Sequence, residues 1–266
     1  MPPAQDQKAA EFRALHEGEA FLIPNPWDVG SAKVLDALGF KALATTSSGF
    51  AFTLGRLDGD TTLDELMDHV RAVVKATSVP VSVDLENGHG PAPENAASAI
   101  TRAAEAGAVG GSIEDYDRGG AIYDLDHAAE RITAASEAAK SLGFPFTLTA
   151  RAENHIRGNP DLEDTIARLE AYERAGADVL YAPGLSSGAE IRAVCEAVSN
   201  PVNVLAHPGL TMGEIVDAGA RRVSVGGALT WVAVGAMASA AERMRDSGDF
   251  SGLAARVRIQ DWISRS

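Results

Sequence analysis

Asp84 and Glu86 stand two residues apart in the run PVSVDLENGHG, Glu114 closes GGSIE, and Arg151 closes FPFTLTAR. Carboxylates gathered around one point repel each other strongly unless a cation joins them. Asp84 and Glu86, at i and i+2 of an extended run, are expected on one face, and Glu114 is expected from the neighbouring strand. An all-oxygen donor set with room for water suits Mg2+ or Mn2+ rather than Zn2+. Arg151 offers a planar fork for a bidentate grip on a small carboxylate. Ser48, with the backbone N–H groups of Gly49 and Phe50, offers a second set of donors for that carboxylate. The three acids also have another reading, a salt-bridge network with Arg151 and no metal.

Other candidates carry less chemistry. Asp115 reads as a loop brace or helix cap. His89, His155 and His207 read as loop hydrogen-bonding residues. Gly226-Gly227 fits either an anion at the start of the next helix or tight packing of strand against helix. Cys195 falls inside a helix, where a buried structural thiol is expected.

The elements that must position these residues repeat along the chain. A helical, Ala-rich stretch ends in Gly, and a short apolar run follows, as in LDALGFKALATT, AAEAGAVGGSIED, YERAGADVLYAPG and VDAGARRVSVGG. Gly39, Gly107, Gly176 and Gly219 sit where a helix takes a left-handed terminal residue. Nearly continuous apolar runs predict strands buried on both faces. Eight are expected, near 20–25, 41–46, 80–86, 109–114, 146–151, 178–182, 201–206 and 221–226. Amphipathic helices are expected at 63–76, 161–176 and 187–199. Alternation of strand and helix means parallel pairing with right-handed crossovers, and eight units close into a (β/α)8 TIM barrel. The barrel is read as one domain spanning 1–266. The tail, 250–266, looks helical, with Leu253, Val257 and Trp262 apolar. It is expected as the last barrel helix or as an extension packing on another subunit.

The chain has 266 residues, 45% of them hydrophobic, and a formal net charge of −14. That charge disfavours nucleic acid and anionic membranes, which need clustered Lys and Arg. A single cysteine excludes an intrachain disulfide framework. No signal peptide or membrane span is evident, so a soluble cytoplasmic protein acting on a small molecule is expected.

The stretches PNPWDVGSAKVLDALGFKALATTSSGFA, PVSVDLENGHG, GGSIED, LTARAE, AGADVLYAPG and RRVSVGGAL occur in an order that resembles the isocitrate lyase and phosphoenolpyruvate mutase superfamily. The resemblance covers nearly the whole chain. It implies that Asp84 lies next to a bound Mg2+ and that Glu86 stands where many relatives carry Asp. It implies that Glu114 acts through metal-bound water and that Asp58 is a further outer acid. It implies that Ser48, Gly49 and Arg151 cradle a 2-oxo carboxylate, and that the chemistry passes through a pyruvate enolate on the metal. On this basis Arg151, Asp58 and Glu114 are the expected catalytic residues.

The departures narrow the reaction. The lyases of the superfamily carry a lysine-cysteine-glycine-histidine loop after strand 4; here residues 114–131 contain neither Cys nor Lys. The Lys and Asn usual in phosphonate enzymes are missing from the same loop. Ala182-Pro183-Gly184 replaces an acid after strand 6. The leading expectation is a Mg2+- or Mn2+-dependent enzyme that cleaves a C–C bond of a small 2-oxo or 2-hydroxy di-acid, by lysis or decarboxylation. One alternative is P–C chemistry on a phosphonopyruvate-like compound. Another is a barrel that binds a carboxylate without turnover. Relatives of this kind also imply a homo-oligomer, expected as a homotetramer.

Overall fold

The computed structural model describes residues 4–254 and 259–263. In chain order the elements are α1 (Gln5–Glu17), β1 (Phe21–Ile23), α2 (Val29–Ala37), β2 (Leu43–Ala44), α3 (Ser47–Thr53), α4 (Leu63–Ala76) and β3 (Val81–Asp84). There follow α5 (Pro93–Glu105), β4 (Gly110–Glu114), α6 (Leu125–Lys140), β5 (Thr147–Arg151), α7 (Leu162–Arg174) and β6 (Val179–Tyr181). The chain continues through α8 (Gly188–Ala197), β7 (Val202–Leu205), α9 (Met212–Asp217), β8 (Arg222–Ser224), α10 (Ala228–Ser247) and α11 (Ile259–Ile263).

All eight expected strands are present and parallel, in the order β1-β8-β7-β6-β5-β4-β3-β2. The ring is drawn shut between β1 and β2 by two bonds: the Ala44 N–H donates to Pro24 O, and Asn25 Nδ2 to Thr45 O, each at 3.1 Å. Six strands end before their expected C-terminal limits, while β4 and β5 run to Glu114 and Arg151 as expected. The four helix-ending glycines adopt φ between 88° and 110°, as the repeat required.

The helix over 63–76 matches its expected span. Thr62 and Glu65 form its capping box, and Leu66, Met67, Val70 and Val73 are buried along one face. Each such side chain stabilises by about 1.5–3 kcal/mol. The first helix, α1, covers the N-terminal end of the barrel. Phe12 packs with Ala9, Phe21, Ile23, Ala42 and Val109, and a Cβ on Gly110 would stand only 2.8 Å from the Phe12 ring. Glycine at 110 is therefore what lets α1 seat.

Burial holds two histidines neutral. His16 on α1 is pushed down to about 3 by burial and then by Arg222. His69, stacked on Phe50 at 4.2 Å, is pushed down to about 4 by burial. An unfolded histidine titrates near 6.5, so below that pH the unfolded chain binds protons that the native one does not. Stability is therefore present above about pH 6.5 and is lost as pH falls toward 4. Urea midpoints should drop steeply between pH 6.5 and 4.5, and His69→Phe should flatten the drop by about one proton. An unchanged slope in that variant would exclude the account.

The C-terminal region is helical, as expected, and begins with a helix whose apolar residues face outward. Only Thr230 is buried in the 20-residue α10, and Trp231, Val232 and Met237 stand exposed. Among the described residues the tail is helical, as expected, but in two pieces. Ser251–Ala254 make a single 3-10 turn with Leu253 exposed, and α11 returns to α2, where Lys33 Nζ lies 3.5 Å from Ile263 O. Trp262 is half-buried there; Val257 lies outside the described residues. Among the described residues no helix is long and apolar enough to cross a membrane.

Candidate active site

A cavity of about 180 Å3 opens at the C-terminal ends of the strands, lined among others by Ser48, Asp58, Asp84, Arg151, Tyr181 and Arg222. A larger space of about 760 Å3 lies beside α1 and α6, toward the starts of the strands. It holds none of the strand-end carboxylates, so the smaller cavity is where chemistry is possible.

Arg151 is the hub. Its guanidinium lies 2.9 Å from Asp84, 3.2 Å from Glu114 and 2.7 Å from Glu153, and its cationic carbon sits 5.1 Å above the Tyr181 ring. Glu153 is fully buried and also pairs with Arg157 at 3.2 Å. Arg157 in turn lies 4.0 Å from Glu114 and 3.8 Å over the Tyr116 ring. Burial raises the Glu114 carboxyl well above the carboxylate range; Arg151 opposes this, while Glu153, Asp84 and Glu86 add to it. The sequence reading weighed Arg151 but not Glu153 or Arg157. The available signal was their place in the loop that follows β5 at the functional rim.

Asp84 and Glu86 do not share a strand face as expected. The strand ends at Asp84, and Glu86 sits beyond it with φ 50°. Its carboxylate turns to Arg118 at 3.1 Å and to the Thr61 hydroxyl at 3.4 Å. Burial pushes Glu86 up to about 7, Arg118 opposing and Asp84 and Asp58 adding to the shift. Arg118, from the loop after β4, also meets Thr61 O at 3.1 Å and His89 Nδ1 at 2.9 Å. Two non-glycine residues with positive φ, Glu86 and His89, mark a strained turn of the kind that functional sites hold in place.

Arg131 holds that turn. Buried on α6, it donates to Pro91 O at 3.1 Å, Glu114 O at 3.0 Å and Gly90 O at 3.0 Å, and also to Asn87 O. Arg131→Met should leave these carbonyls unsatisfied, at about 1–3 kcal/mol for each that stays buried. A loss of about 3 kcal/mol or more in chemical denaturation is expected; a loss under 1 kcal/mol would show that the turn is held otherwise.

The carboxylate cradle is narrower than expected. The Phe50 N–H is taken by Thr46 O at 3.0 Å as the first bond of α3, so Phe50 contributes packing and not a donor. Gly49 N–H has only a long contact of 3.4 Å to Thr46 Oγ1, and the Ser48 hydroxyl lies 3.2 Å from the same oxygen. A Cβ on Gly49 would meet Thr230, Thr46 and Trp27 at 2.7–2.8 Å. One on Gly227 would stand 2.6 Å from Ser48 Oγ, so close packing of α3 on the start of α10 accounts for that glycine.

Asp58 joins the group from the loop after α3. Its carboxyl is raised by desolvation and then by Asp84, and lowered by a bond to Ser47. Asp115 is a brace: it accepts from Glu153 N at 2.8 Å, Arg168 at 3.0 Å and the Tyr172 hydroxyl at 2.5 Å. His155 bonds Thr165 and His207 accepts from Gly209 N, both local roles. Burial pushes the Cys195 thiol up to about 11, which leaves it protonated.

These acids suit a hydrated divalent cation. Five carboxylates (Asp58, Asp84, Glu86, Glu114, Glu153) interact with three guanidiniums (Arg118, Arg151, Arg157); with every group ionised, five against three is a formal excess of two negative charges, which protons on the raised Glu86 and Glu114 carboxyls reduce until a cation binds. Yet among the described residues no three acidic, His or Cys side chains stand close enough to ligate one ion together. Asp84, Glu86 and Glu114 are thus not a three-ligand set: Glu86 is turned toward Arg118, and Glu114 is held by Arg151. Mg2+ keeps several waters and needs only one or two carboxylates, and Asp84, facing the cavity beside Asp58, fits that role.

The family model described as phosphoenolpyruvate phosphomutase matches residues 12–245. The chain belongs to this family. A 2-methylisocitrate lyase from Halalkalibacterium halodurans is 31% identical over 240 residues, 84% of this chain and 77% of the relative. An oxaloacetate decarboxylase from Bradyrhizobium sp. (strain BTAi1 / ATCC BAA-1182) is 31% identical over 221 residues, 80% and 76% of the two chains. A solved Burkholderia cenocepacia J2315 protein, described as a candidate lyase/mutase, is 51% identical with a TM-score of 0.94, covering 98% of this chain and 96% of its own. Within the phosphomutase family, then, this chain stands among enzymes named as lyases and decarboxylases.

Proposed function

We propose that the protein cleaves the C3–C4 bond of a small 2-oxo di-acid of the oxaloacetate type, with Mg2+ or Mn2+ as cofactor. The observation that carries this reading is the cavity itself, where the carboxylates Asp84 and Asp58 stand beside the donors Ser48 and Arg151. Asp84 would hold the divalent cation, which would supply a Lewis acid for the 2-oxo group. The Ser48 hydroxyl and Gly49 N–H receive the adjoining carboxylate. Arg151, locked by three carboxylates, holds its position without reorganising. When the C3–C4 bond breaks, its electron pair stays on C3 and delocalises into the C2 carbonyl as the enolate of pyruvate. CO2 departs without needing a proton, and C3 later takes one from solvent. Pyruvate formation from oxaloacetate, with and without Mg2+ and corrected for the spontaneous reaction, tests this directly. No cation-dependent acceleration would end the proposal. Phosphonopyruvate run in parallel exposes P–C chemistry if that is the activity.

The protein is further proposed to act as a homo-oligomer, a tetramer by family likeness. Support comes from α10, a 20-residue helix that buries only Thr230 and leaves Trp231, Val232 and Met237 exposed. Phe52, also exposed, meets Trp231 edge to face at 5.6 Å. Sedimentation should show a species several times 27.7 kDa; a monomer alone would refute it.

A further inference from the structure

Arg222 carries a buried charge for which the fold supplies no anion. It is 5% exposed, lies on β8 and lines the same cavity as Asp84 and Ser48. Three of its five N–H groups find neutral acceptors: Asn203 Oδ1 at 2.8 Å, Thr149 Oγ1 at 3.0 Å and His16 Nε2 at 3.3 Å. His16 is itself neutral: Nδ1 lies 2.8 Å from Phe12 O, which fits a proton on Nδ1 and a lone pair on Nε2 toward Arg222. Tyr181 is no counter-ion either. Burial pushes its phenol up to about 12, so it stays neutral, bonded to Ser224, which also accepts from Asn203 Nδ2 at 3.0 Å. Among the described residues no carboxylate pairs with Arg222, and burial lowers its pKa to about 10. Arg151 is the opposite case, with three carboxylates already bound.

Desolvating a guanidinium without an anion is strongly unfavourable, so a natural chain that keeps one beside a site cavity has a use for it. The cavity is polar in a directed sense. Its acids, Asp58 and Asp84, are suited to a cation, while Arg222 lies below with Asn203, Ser224 and Tyr181. We propose that Arg222, Asn203 and Ser224 form the subsite for the far carboxylate of a di-acid substrate, and so select di-acids over mono-acids. About 180 Å3 has room for a four- or five-carbon di-acid. The proposal rests on the lyase reading of this cavity and specifies its substrate class.

A purely structural role, bracing α1 through His16, would change stability but not ligand choice. Calorimetry in Mg2+ separates the two, with L-malate and L-lactate as probes that differ only in the far carboxylate and oxalate as a control for the cation end. The wild type is expected to bind malate at least about tenfold more tightly than lactate. Arg222→Gln should reduce that ratio to within about twofold of unity and leave oxalate affinity within about threefold. A ratio unchanged in a folded Arg222→Gln protein that still binds oxalate overturns the subsite alone. A wild type that does not bind oxalate with Mg2+ overturns the underlying lyase reading and the subsite with it. Should Arg222→Gln not fold, Arg222→Lys decides: it keeps the charge without the fork, so a ratio lowered threefold or more supports the subsite and an unchanged ratio rejects it.

Discussion

Oxaloacetate should be turned over at least about 10²-fold faster than isocitrate or 2-methylisocitrate when all three are supplied with Mg2+. Cleaving either isocitrate leaves a carbanion on the departing acid, and a placed proton donor at that point is typically worth about 10²–10⁴-fold. The loop that would carry it has no cysteine or lysine between Glu114 and Arg131. Its two phenols are otherwise engaged. Tyr116 lies under Arg157 at 3.8 Å. The Tyr123 hydroxyl accepts from Asn87 Nδ2 at 3.1 Å and reaches Asp117 at 3.4 Å, and burial raises its pKa further. Cys195 is on α8, in contact with Gly219, remote from the cavity lining. Likeness to a 2-methylisocitrate lyase makes this a demanding test, because the shared barrel argues for that substrate and the loop argues against it. Turnover of either isocitrate at a rate comparable to oxaloacetate would mean that some other group serves as the acid.

Asp84→Asn should abolish cation-dependent ligand binding while the protein remains folded. Asp84 accepts from Arg151 at 2.9 Å, from Ser47 N at 3.3 Å and from Glu86 N at 3.3 Å, and an amide oxygen keeps part of this geometry. What it removes is charge. The formal excess would fall from two negative charges to one, and the acid that faces the cavity would be neutral. Activity is expected to fall by about 10³-fold or more, comparable to losing a principal electrostatic group. The melting temperature should shift little, since crowded carboxylates without a cation repel one another. Near-normal cation-dependent activity in Asp84→Asn would place the cation elsewhere.

Much of the barrel could be read from the chain because two independent signals coincide at each unit. A glycine ends the helix in a left-handed turn, and an unbroken apolar run follows. The direction of α10 could not be read. Its composition, ALTWVAVGAMASAAERMRDS, suits a buried barrel helix, and only tertiary packing shows that its apolar residues face outward. At the site the residue types were legible and their orientations were not. Glu86 was assigned by strand parity, but Leu85 and Glu86 already belong to the turn that Arg131 ties down. Phe50 was counted as a donor because the start of α3 could not be fixed to the residue, and a helix spends its fourth N–H on the cap carbonyl. Arg118 and Arg157 sit in loops whose reach no periodicity describes. Arg222 did leave a trace. In RRVSVGG, Arg222 and Ser224 alternate with Val223 and Val225, a polar face on a strand expected to be apolar on both sides. That face is the cavity wall.

In the proposed function, the carboxylate group at the strand ends works with a divalent cation to bind a small 2-oxo acid. Titration of oxalate into the protein by calorimetry, after dialysis against EDTA and again after adding back Mg2+ or Mn2+, tests it most directly. Binding should be absent or at least about 10²-fold weaker without the cation and should return with either metal. Oxalate affinity that is the same in EDTA as in Mg2+ would contradict the account.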